Sequence, residues 1–383
     1  MAMSDEPDLA LAAVRRFVRQ ELRPNAAAWD QTHTFPIEAF RKFHELGWLQ
    51  AFVPEGLGGA GLSSLALCDL MREVGAGSSG FATSLIAVML AGVPVVEFGS
   101  EELKHRSVRH FCEHFALWSF CFTEPDAGSD VFRIRTRARR VDGGYRLVGQ
   151  KCFATNASFS EHLVVIALIE AEEQPRAASI ALYLPRSSAG LGFGEPWAKL
   201  GHRSSNTTEV FFDDVFVPEE HRIGREGDGF RVAFHSLQRS RLFFAAAATG
   251  VCDYAGELVL TDLKDRIRYG KPLLTQPVIQ DRLADMYTRK EASWQLTRHA
   301  ARLWDAGRES LTESSMAKLF SGNMVVEFVG NCMELLGGSA YADDGEIARL
   351  YRDAKLFEII EGPSFVQKAI IAKELFRPLI SKG

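Results

Sequence analysis

The stretch Phe122-Thr123-Glu124-Pro125-Asp126-Ala127-Gly128-Ser129-Asp130 lies where the sequence changes from helical to strand periodicity. It is polar and rich in turn-forming residues, so it predicts a loop at the entrance to a β-domain. The hydroxyls of Thr123 and Ser129 and the backbone amides around Gly128 are suited to bind a flat polar cofactor or a phosphate. An ordinary turn with Asx-type hydrogen bonds is the alternative that this stretch leaves open.

Residues 1–118 are predicted to form an N-terminal helical domain. Amphipathic patterns cover residues 9–22, where Pro24 is expected to end the helix, and then residues 37–46, 63–74 and 83–90. The longest apolar run, residues 85–96, is interrupted by Gly92 and Pro94 and is shorter than the ~20 residues that span a membrane. We therefore expect no membrane insertion.

Residues 119–225 are predicted to form a central antiparallel β-domain, either a barrel or a sandwich. The turn Asp142-Gly143-Gly144 precedes a β-rich run, and further runs follow with no helical crossover long enough for a parallel sheet; the runs are 145–153, 163–168, 180–184 and 209–217. Residues 226–383 return to helical periodicity and predict a C-terminal bundle. Its helices are expected at 230–260, 280–306, 314–336 and 364–375, with a glycine-rich, charged segment at 337–362.

The composition is that of an ordinary globular protein, with 46% hydrophobic and 24% charged residues over 383 positions. At roughly 150 residues per domain this length predicts two or three domains. A net charge of -5 argues against a nucleic-acid binder. The acidic N-terminus does not look like a signal peptide. The cysteines form no CxxC pair and no cluster with histidine, which predicts reduced thiols, no metal site and a cytoplasmic protein; they are Cys68, Cys112, Cys121, Cys152, Cys252 and Cys332.

Gly56, Gly58 and Gly61 spell the G-x-G-x-x-G pattern of a dinucleotide-binding loop. That loop needs a strand before it, and Pro54 and Glu55 stand there instead. A glycine-rich turn between helices is therefore favoured.

Arg133, Arg135, Arg137 and Arg139 alternate with smaller or apolar residues, which places the four guanidinium groups on one face of a strand. Such a stripe is suited to dock phosphates or an acidic partner protein, and a solvated face is the alternative. A second group of cations, residues 265–272, ends a helix. Helix C-termini attract cations in any case, but Arg266 or Arg268 is also suited to grip a phosphate.

Glu361 stands in Ile359-Ile360-Glu361-Gly362-Pro363, which predicts a partly desolvated acid on a tight turn. Desolvation raises the pKa of a carboxylic acid, and a raised pKa suits a general base. A helix boundary without a catalytic role is the alternative for this pattern alone.

Taken together and in order, these segments resemble the acyl-CoA dehydrogenase family along nearly the whole chain. The loop from Thr123 to Asp130 is similar to the family's T-E-P-x-A-G-S-D motif, and Lys151-Cys152-Phe153-Ala154-Thr155-Asn156 is similar to its K-x-W-I-T-N strand. Further matching segments are Val53-Pro54-Glu55, Gly58-Gly59-Ala60-Gly61, Arg203 to Thr207, Phe211 to Pro218, Arg266 to Lys271, Leu283 to Met286, Leu336-Gly337-Gly338 and Tyr351-Arg352-Asp353-Ala354.

The resemblance implies an N-terminal helical domain, a central β-domain and a C-terminal four-helix bundle. It implies bound FAD, an acyl thioester substrate on CoA or acyl carrier protein, and an electron acceptor such as an electron-transfer flavoprotein. It also implies a homotetramer built as a dimer of dimers, or a homodimer, with each FAD shared across a dimer interface.

The resemblance also implies roles for single residues. Phe122, Thr123, Phe153 and Thr155 would line the isoalloxazine ring, and Ser129 would lie near both the flavin and the pantetheine arm. Arg266, Tyr269 and Gly338 would contact the pyrophosphate and adenine end of a neighbouring subunit's FAD. Gln276, Glu334 and Pro363 stand at or beside further FAD-contacting positions of the family.

The implied reaction is α,β-dehydrogenation. Glu361 would remove a proton α to the thioester carbonyl while a hydride leaves the β-carbon for flavin N5, which gives an enoyl thioester. The backbone N–H of Glu361 and a ribityl hydroxyl would polarise the carbonyl, as in an oxyanion hole. Arg241, Gln238 and Gly362 would lie on the substrate side of this centre.

Several positions depart from the family pattern. Pro363 replaces a threonine, Phe365 and Glu334 replace glutamines, Phe153 replaces a tryptophan, and Gln238 replaces an aspartate. Arg133 replaces a small residue, which leads to the hypothesis that the acyl group arrives on an acidic acyl carrier protein. An oxygen-using oxidase or monooxygenase and a non-catalytic flavin- or carrier-binding protein remain the alternative functions on this scaffold.

Overall fold

Helices form the first part of the chain, as their periodicity predicts. The computed structural model describes residues 5–170, 175–308, 310–342 and 345–380. The helices before the first strand are α1 (Asp5–Phe17), α2 (Arg23–Thr32), α3 (Ile37–Glu45), α4 (Ser64–Gly75), α5 (Ser79–Phe98), α6 (Glu101–Leu103) and α7 (His110–Glu113). The glycine-rich stretch near Gly58 forms a turn between α3 and α4 with a short 3₁₀ segment, Glu55–Leu57, as predicted.

Pro24 does not end the first helix, contrary to the prediction. Helix α1 continues through a π-helical turn at Val18–Leu22 into α2, and Pro24 lies in the first turn of α2. Proline is tolerated in a first helical turn, and the π turn widens the backbone just before it.

Gly92 and Pro94 do not interrupt α5 either. The helix runs through both residues because Ser236 Oγ donates a hydrogen bond of 2.7 Å to Leu90 O, the carbonyl that proline at position 94 leaves without its helical N–H partner. Within the described residues, α5 and the helix at Gly229–Asp265 are long and apolar enough to cross a membrane. Their most apolar windows are 83% and 78% buried inside the protein, as in core helices.

The central domain is mostly antiparallel, as predicted, but two parallel strand pairs make it a mixed sheet. Its strands are β1 (Trp118–Cys121), β2 (Arg137–Val141), β3 (Gly144–Thr155), β4 (His162–Ile169), β5 (Ser179–Pro185), β6 (Leu191–Phe193), β7 (Thr207–Pro218) and β8 (Arg222–Ile223), and a short helix α8 (Pro175–Ala178) precedes β5. Most neighbours are antiparallel, but β1 and β2 each run parallel to β4. The β2–β3 hairpin lies between β1 and β4 in the chain, so it makes the parallel crossover that a helix usually makes.

The C-terminal part begins with α9 (Gly229–Asp265), followed by a small hairpin of β9 (Ile267–Arg268) and β10 (Lys271–Pro272). The bundle continues with α10 (Pro277–Asp305), α11 (Leu311–Leu336), α12 (Glu346–Ala354), α13 (Leu356–Ile359) and α14 (Ser364–Ile380). Helices α12 and α13 fall in the segment that the sequence predicted only as glycine-rich and charged. Their short length between glycines hid a clear amphipathic pattern, in which Ile347 and Leu350 are buried.

The N-terminal and C-terminal helices share one apolar core, whereas the sheet carries a second core on its other face. Helices α4 and α9 approach so closely at Gly75 and Gly250 that a Cβ on Gly250 would lie 1.9 Å from Arg72 O. A Cβ on Gly75 would lie 2.4 Å from Ala247 O. Helix α9 is therefore fixed at its centre, and it carries several of the predicted site residues.

Candidate active site

The turn at Glu361 joins α13 to α14 in a strained conformation. Glu361 has φ +57° and Gly362 has φ +91°. The left-handed region costs a non-glycine residue about 1–3 kcal/mol, so the surrounding contacts must hold this turn. Gln367 Nε2 donates to Glu361 O at 2.8 Å and to Gly362 O at 2.9 Å, and Lys318 Nζ donates to Gly362 O at 2.8 Å. A Cβ at position 362 would lie 2.6 Å from Gln367 Nε2, and any other residue there would be strained at a φ of +91°.

The carboxylate of Glu361 is held by Ser240, whose Oγ donates to Glu361 Oε2 at 2.6 Å. Burial raises the pKa of Glu361, while this hydrogen bond and the charges of Arg241 and Lys318 oppose the rise. Burial also lowers the pKa of Lys318 to about 8. The Glu361 carboxylate therefore binds a proton more strongly than an ordinary glutamate, and its hydrogen bond orients it as an acceptor, as a general base requires.

Two of the predicted substrate residues, Arg241 and Gly362, meet Glu361 directly. Arg241 is buried on α9, and its Nε donates to Glu361 O at 3.3 Å. Gln238 lies one turn earlier on α9, and its Nε2 donates to Ser310 Oγ at 3.2 Å. Ser129 is exposed on the loop between β1 and β2.

The predicted flavin residues lie where β3 separates from β7. The strand register shifts between Lys151 and Ala154, and Cys152 N donates instead to Thr123 O at 2.9 Å. Phe153 adopts φ +55°, is 57% exposed, and packs its ring edge-to-face on Trp197 with the centroids 4.4 Å apart. This places an exposed aromatic surface beside the loop that carries Thr123.

Phe122 and the hydroxyls complete that surface. Phe122 is buried against Phe230 of α9, with ring centroids 6.0 Å apart. Within the described parts of the chain, neither the Thr123 nor the Thr155 hydroxyl has a hydrogen-bond partner. An exposed ring with two free hydroxyl groups fits a flat heterocycle that has both apolar and hydrogen-bonding edges.

A buried ion pair supports this loop from beneath, and the sequence reasoning assigned it no role. Lys151 Nζ donates to Glu124 Oε1 at 2.7 Å and to Phe122 O at 3.0 Å. Glu124 also accepts from Arg135 N, Thr136 N and Thr136 Oγ1. Burial raises the pKa of Glu124, but the Lys151 charge and these hydrogen bonds together lower it below its ordinary value. The signal in the sequence was a lysine between strand residues, which burial requires to be paired.

Residues predicted at the adenine end form a separate group near the ends of α9 and α11. Arg266 donates to Leu335 O at 2.5 Å and Leu336 O at 2.8 Å and pairs with Asp262, which leaves only Nε without a partner among the described residues. Gly338 follows directly in the 3₁₀ segment Gly337–Tyr341.

The remaining residues predicted to contact FAD lie near the ends of helices. Tyr269 is 92% exposed at the β9–β10 turn, Gln276 precedes α10, and Pro363 precedes α14. Glu334 is exposed on α11 and forms an ion pair with Arg282. Arg266 therefore shapes the turn before Gly338, and its donors are mostly committed to carbonyl groups of this chain.

Three family models match consecutive parts of the chain. They are described as the N-terminal, middle and C-terminal domains of acyl-CoA dehydrogenase and match residues 4–114, 119–215 and 227–376. The chain belongs to the acyl-CoA dehydrogenase family. It is an FAD-dependent oxidoreductase that dehydrogenates acyl thioesters.

Known members of the acyl-CoA dehydrogenase family resemble the chain over its whole length. A cyclohex-1-ene-1-carbonyl-CoA dehydrogenase of Geobacter metallireducens is 35% identical over 98% of this chain and 99% of its own. The structure of butyryl-CoA dehydrogenase from Megasphaera elsdenii matches with a TM-score of 0.94 at 29% identity, over 98% of this chain and 100% of that one.

Two further solved structures are similar. An FAD complex of PigA has a TM-score of 0.92 at 26% identity over 98% of both chains. A prolyl acyl carrier protein oxidase, AnaB, has the same TM-score at 25% identity, over 98% of this chain and 100% of that one. The predictions of family, fold class, reaction and FAD are confirmed, and the domain boundaries and single-residue roles stay predictions.

Proposed function

We propose that Glu361 is the base that removes the α proton of the acyl thioester. The observation that carries this proposal is the contact between its carboxylate and Ser240 at 2.6 Å, on a strained turn that Gln367 and Lys318 hold from behind. FAD, when bound, supplies the acceptor for the hydride that leaves the β-carbon. The backbone N–H of Glu361 has no partner among the described residues and would donate to the thioester oxygen.

On the substrate side, Arg241 would keep the Glu361 carbonyl turned away from the thioester, and Gly362 would let the arm pass close to the backbone. Gln238 and Ser129 would contact the pantetheine arm. The face of α9 that carries Phe230, Phe234 and Gln238 has helical i, i+4, i+8 spacing and leads toward Arg241. We infer that the pantetheine arm follows this face from the Ser129 loop to Glu361.

FAD would lie against the exposed ring of Phe153, with Thr123, Thr155 and Phe122 around the isoalloxazine. Arg266, Tyr269 and Gly338 would approach the adenine end of the FAD of a second subunit, with Gln276 nearby, and Glu334 and Pro363 stand at further positions where the family contacts FAD. Because most donors of Arg266 bond carbonyl groups of its own chain, its contribution to that end would be mainly positional.

The test is Glu361→Gln, which keeps the shape of the side chain and removes the base. We expect FAD to stay bound and anaerobic bleaching of the flavin by acyl thioester to slow by about 10²–10⁴-fold. Glu358→Gln is the matched control, because Glu358 lies on α13 and pairs with Lys355 instead. Full turnover by Glu361→Gln would exclude it as the base, and no turnover of any thioester by the wild-type protein would support the non-catalytic alternative.

We further propose that the acyl group is carried by an acyl carrier protein. Arg133, Arg135, Arg137 and Arg139 are all exposed, and the residues between them are buried, as the period of two predicts. Arg133 lies in a 3₁₀ turn and Arg135 in the loop before β2, so only Arg137 and Arg139 stand on a strand, contrary to the prediction. The Arg133 side chain has no partner among the described residues. The similarity to a prolyl acyl carrier protein oxidase supports the same carrier.

The position of the stripe fits a carrier whose arm must reach Glu361. Phe132, next to Arg133, packs on Phe230 of α9 with ring centroids 5.0 Å apart, so the stripe begins beside the path along α9. Arg133→Glu with Arg137→Glu should reduce kcat/KM for a carrier-bound thioester and leave kcat/KM for the same acyl group on CoA unchanged. An equal kcat/KM for the carrier-bound substrate before and after the change would refute the proposal.

We propose an electron-transfer flavoprotein or a similar protein as the electron acceptor. The similarity to an acyl carrier protein oxidase favours oxygen as the second candidate. Enzyme reduced anaerobically by its thioester and then exposed to air separates the two. Slow reoxidation in air and fast reoxidation by an added flavoprotein support the first acceptor, and fast reoxidation in air supports the second.

We propose a homotetramer built as a dimer of dimers, or a homodimer. Large apolar side chains are exposed around the adenine-end group, as a covered surface would require; they are Ile267, Tyr269, Val278 and Tyr341. Light scattering should give a mass of two or four chains, and Tyr269→Asp should lower both that mass and FAD retention. A monomeric wild-type protein would refute the proposal.

We propose that the protein works in the cytoplasm. All six cysteines are free, and burial raises the pKa of the Cys121 and Cys332 thiols to about 12, which disfavours their oxidation. Fractionation of cells that express the protein checks this, with recovery in a membrane or secreted fraction as the contradicting result.

A further inference from the structure

Aromatic side chains close the space beyond Glu361. Phe244 lies four residues after Ser240 on α9, and Phe357 lies four residues before Glu361. Residues four apart on a helix lie on the same face, so Phe244 follows directly behind the hydroxyl that holds the Glu361 carboxylate. The two rings meet edge-to-face with centroids 6.2 Å apart, and they are 4% and 2% exposed.

Three other parts of the fold hold these two rings in place: the loop before β7, α5 and α12. The ring of His202 packs on Phe357 with centroids 5.3 Å apart. His202 Nδ1 bonds the Thr83 hydroxyl on α5 at 2.8 Å, and its Nε2 bonds Asp353 O at 2.9 Å. Because hydrogen bonds and close-packed rings hold this wall on α5, α9, α12 and α13, it cannot retreat as a flexible side chain would.

The opposite side of Glu361 is open. Along α9, Phe234 is exposed and Leu237 and Gln238 are half-buried, whereas Arg241 and Phe244 are buried. Leu90 of α5, whose carbonyl bonds Ser236, is half-buried beside this wider part. Accessibility therefore falls toward Phe244, so a thioester that enters along α9 points its acyl tail at the aromatic wall.

We propose that Phe244 and Phe357 limit the substrate to a short-chain acyl thioester. This proposal rests on the proposed role of Glu361, because that residue fixes where the α-carbon must lie. From Ser240 to Phe244 the helix rises ~6 Å, about one turn, which leaves room for a few carbons beyond the reacting pair. A longer chain would have to displace a buried aromatic ring.

The test is a chain-length series of straight acyl thioesters from butanoyl to dodecanoyl, all on the same carrier. Wild-type kcat/KM should be highest for butanoyl or hexanoyl and about tenfold or more lower for decanoyl. Phe244→Ala should move the optimum to longer chains, with kcat/KM for decanoyl raised about tenfold relative to butanoyl. Phe244→Leu should move it in the same direction by less and serves if the alanine variant does not fold.

Phe243→Leu is the matched control, since Phe243 is equally buried but packs beneath Arg239, away from Glu361. It should leave the chain-length profile unchanged. Equal wild-type kcat/KM for butanoyl and decanoyl, or a folded Phe244→Leu with the wild-type profile, would overturn the inference, as would failure to turn over any short chain. The Glu361→Gln result tests the proposed base separately, since it does not depend on chain length.

Discussion

Replacing Glu124 by glutamine should leave the buried ammonium group of Lys151 without its anionic partner. This ion pair lies beneath the loop that carries Thr123. Lys151 is fully buried, Glu124 is 6% exposed, and their charged atoms are 2.7 Å apart. The substitution keeps the shape of the side chain and an oxygen for Lys151, but it removes the negative charge. It also weakens the acceptor that now takes hydrogen bonds from Arg135 N and from the amide and hydroxyl of Thr136.

Removing one partner of a buried ion pair lowers the free energy of unfolding by about 3–5 kcal/mol, because the remaining charge stays buried without its counter-charge. An exposed pair gives the contrast: Arg109 and Glu113 are 3.0 Å apart with both side chains 56% exposed, and such pairs contribute about 0.2–1 kcal/mol. We therefore expect Glu124→Gln to cost several times more than Glu113→Gln. Lys151→Met combined with Glu124→Gln should cost less than Glu124→Gln alone, because no charge is then left unpaired.

Denaturant unfolding followed by circular dichroism measures these differences, and gel filtration followed by the flavin absorbance measures FAD retention. Because Lys151 also holds Phe122 O, Glu124→Gln should lose FAD faster than the Glu113→Gln control. A cost for Glu124→Gln no larger than that for Glu113→Gln would refute the reasoning. So would a double variant that is less stable than Glu124→Gln.

Two further predictions concern hydroxyl groups on α9. Ser240→Ala removes the hydrogen bond that favours ionised Glu361, so the pKa of that acid should rise further and the acid limb of kcat/KM should move to higher pH; an unmoved limb would contradict this. Ser236→Ala should leave that limb in place but cost about 1–3 kcal/mol in denaturant unfolding, because Leu90 O loses its donor. The cost should shrink in a Pro94→Ala background, where the new N–H can reach that carbonyl, and an equal cost in both backgrounds would speak against it.

Local features of the site were predictable because they depend on neighbours in the chain. The tight turn at Glu361, the alternation of Arg133 to Arg139 and the loop from Thr123 all follow from turn chemistry or a period of two. The direction of β1 and β2 against β4 was not predictable in this way. A hairpin serves there as the crossover, and spacing rules alone expect a helix.

By itself, the sequence determined the order of helical and strand segments, the family motifs and the position of Glu361 on a tight turn. Each of these depends only on residues that are close together in the chain. Tertiary structure alone decided what surrounds that acid. Ser240 and Glu361 are 121 positions apart, and Ser236 reaches Leu90 across 146. Such contacts depend on how α9 packs on α5 and on the α13–α14 turn, and the close approach to α4 at Gly250 fixes the centre of α9. The physical reason is that a carboxylate becomes a base through its burial and its partners, and only packing of distant segments supplies both.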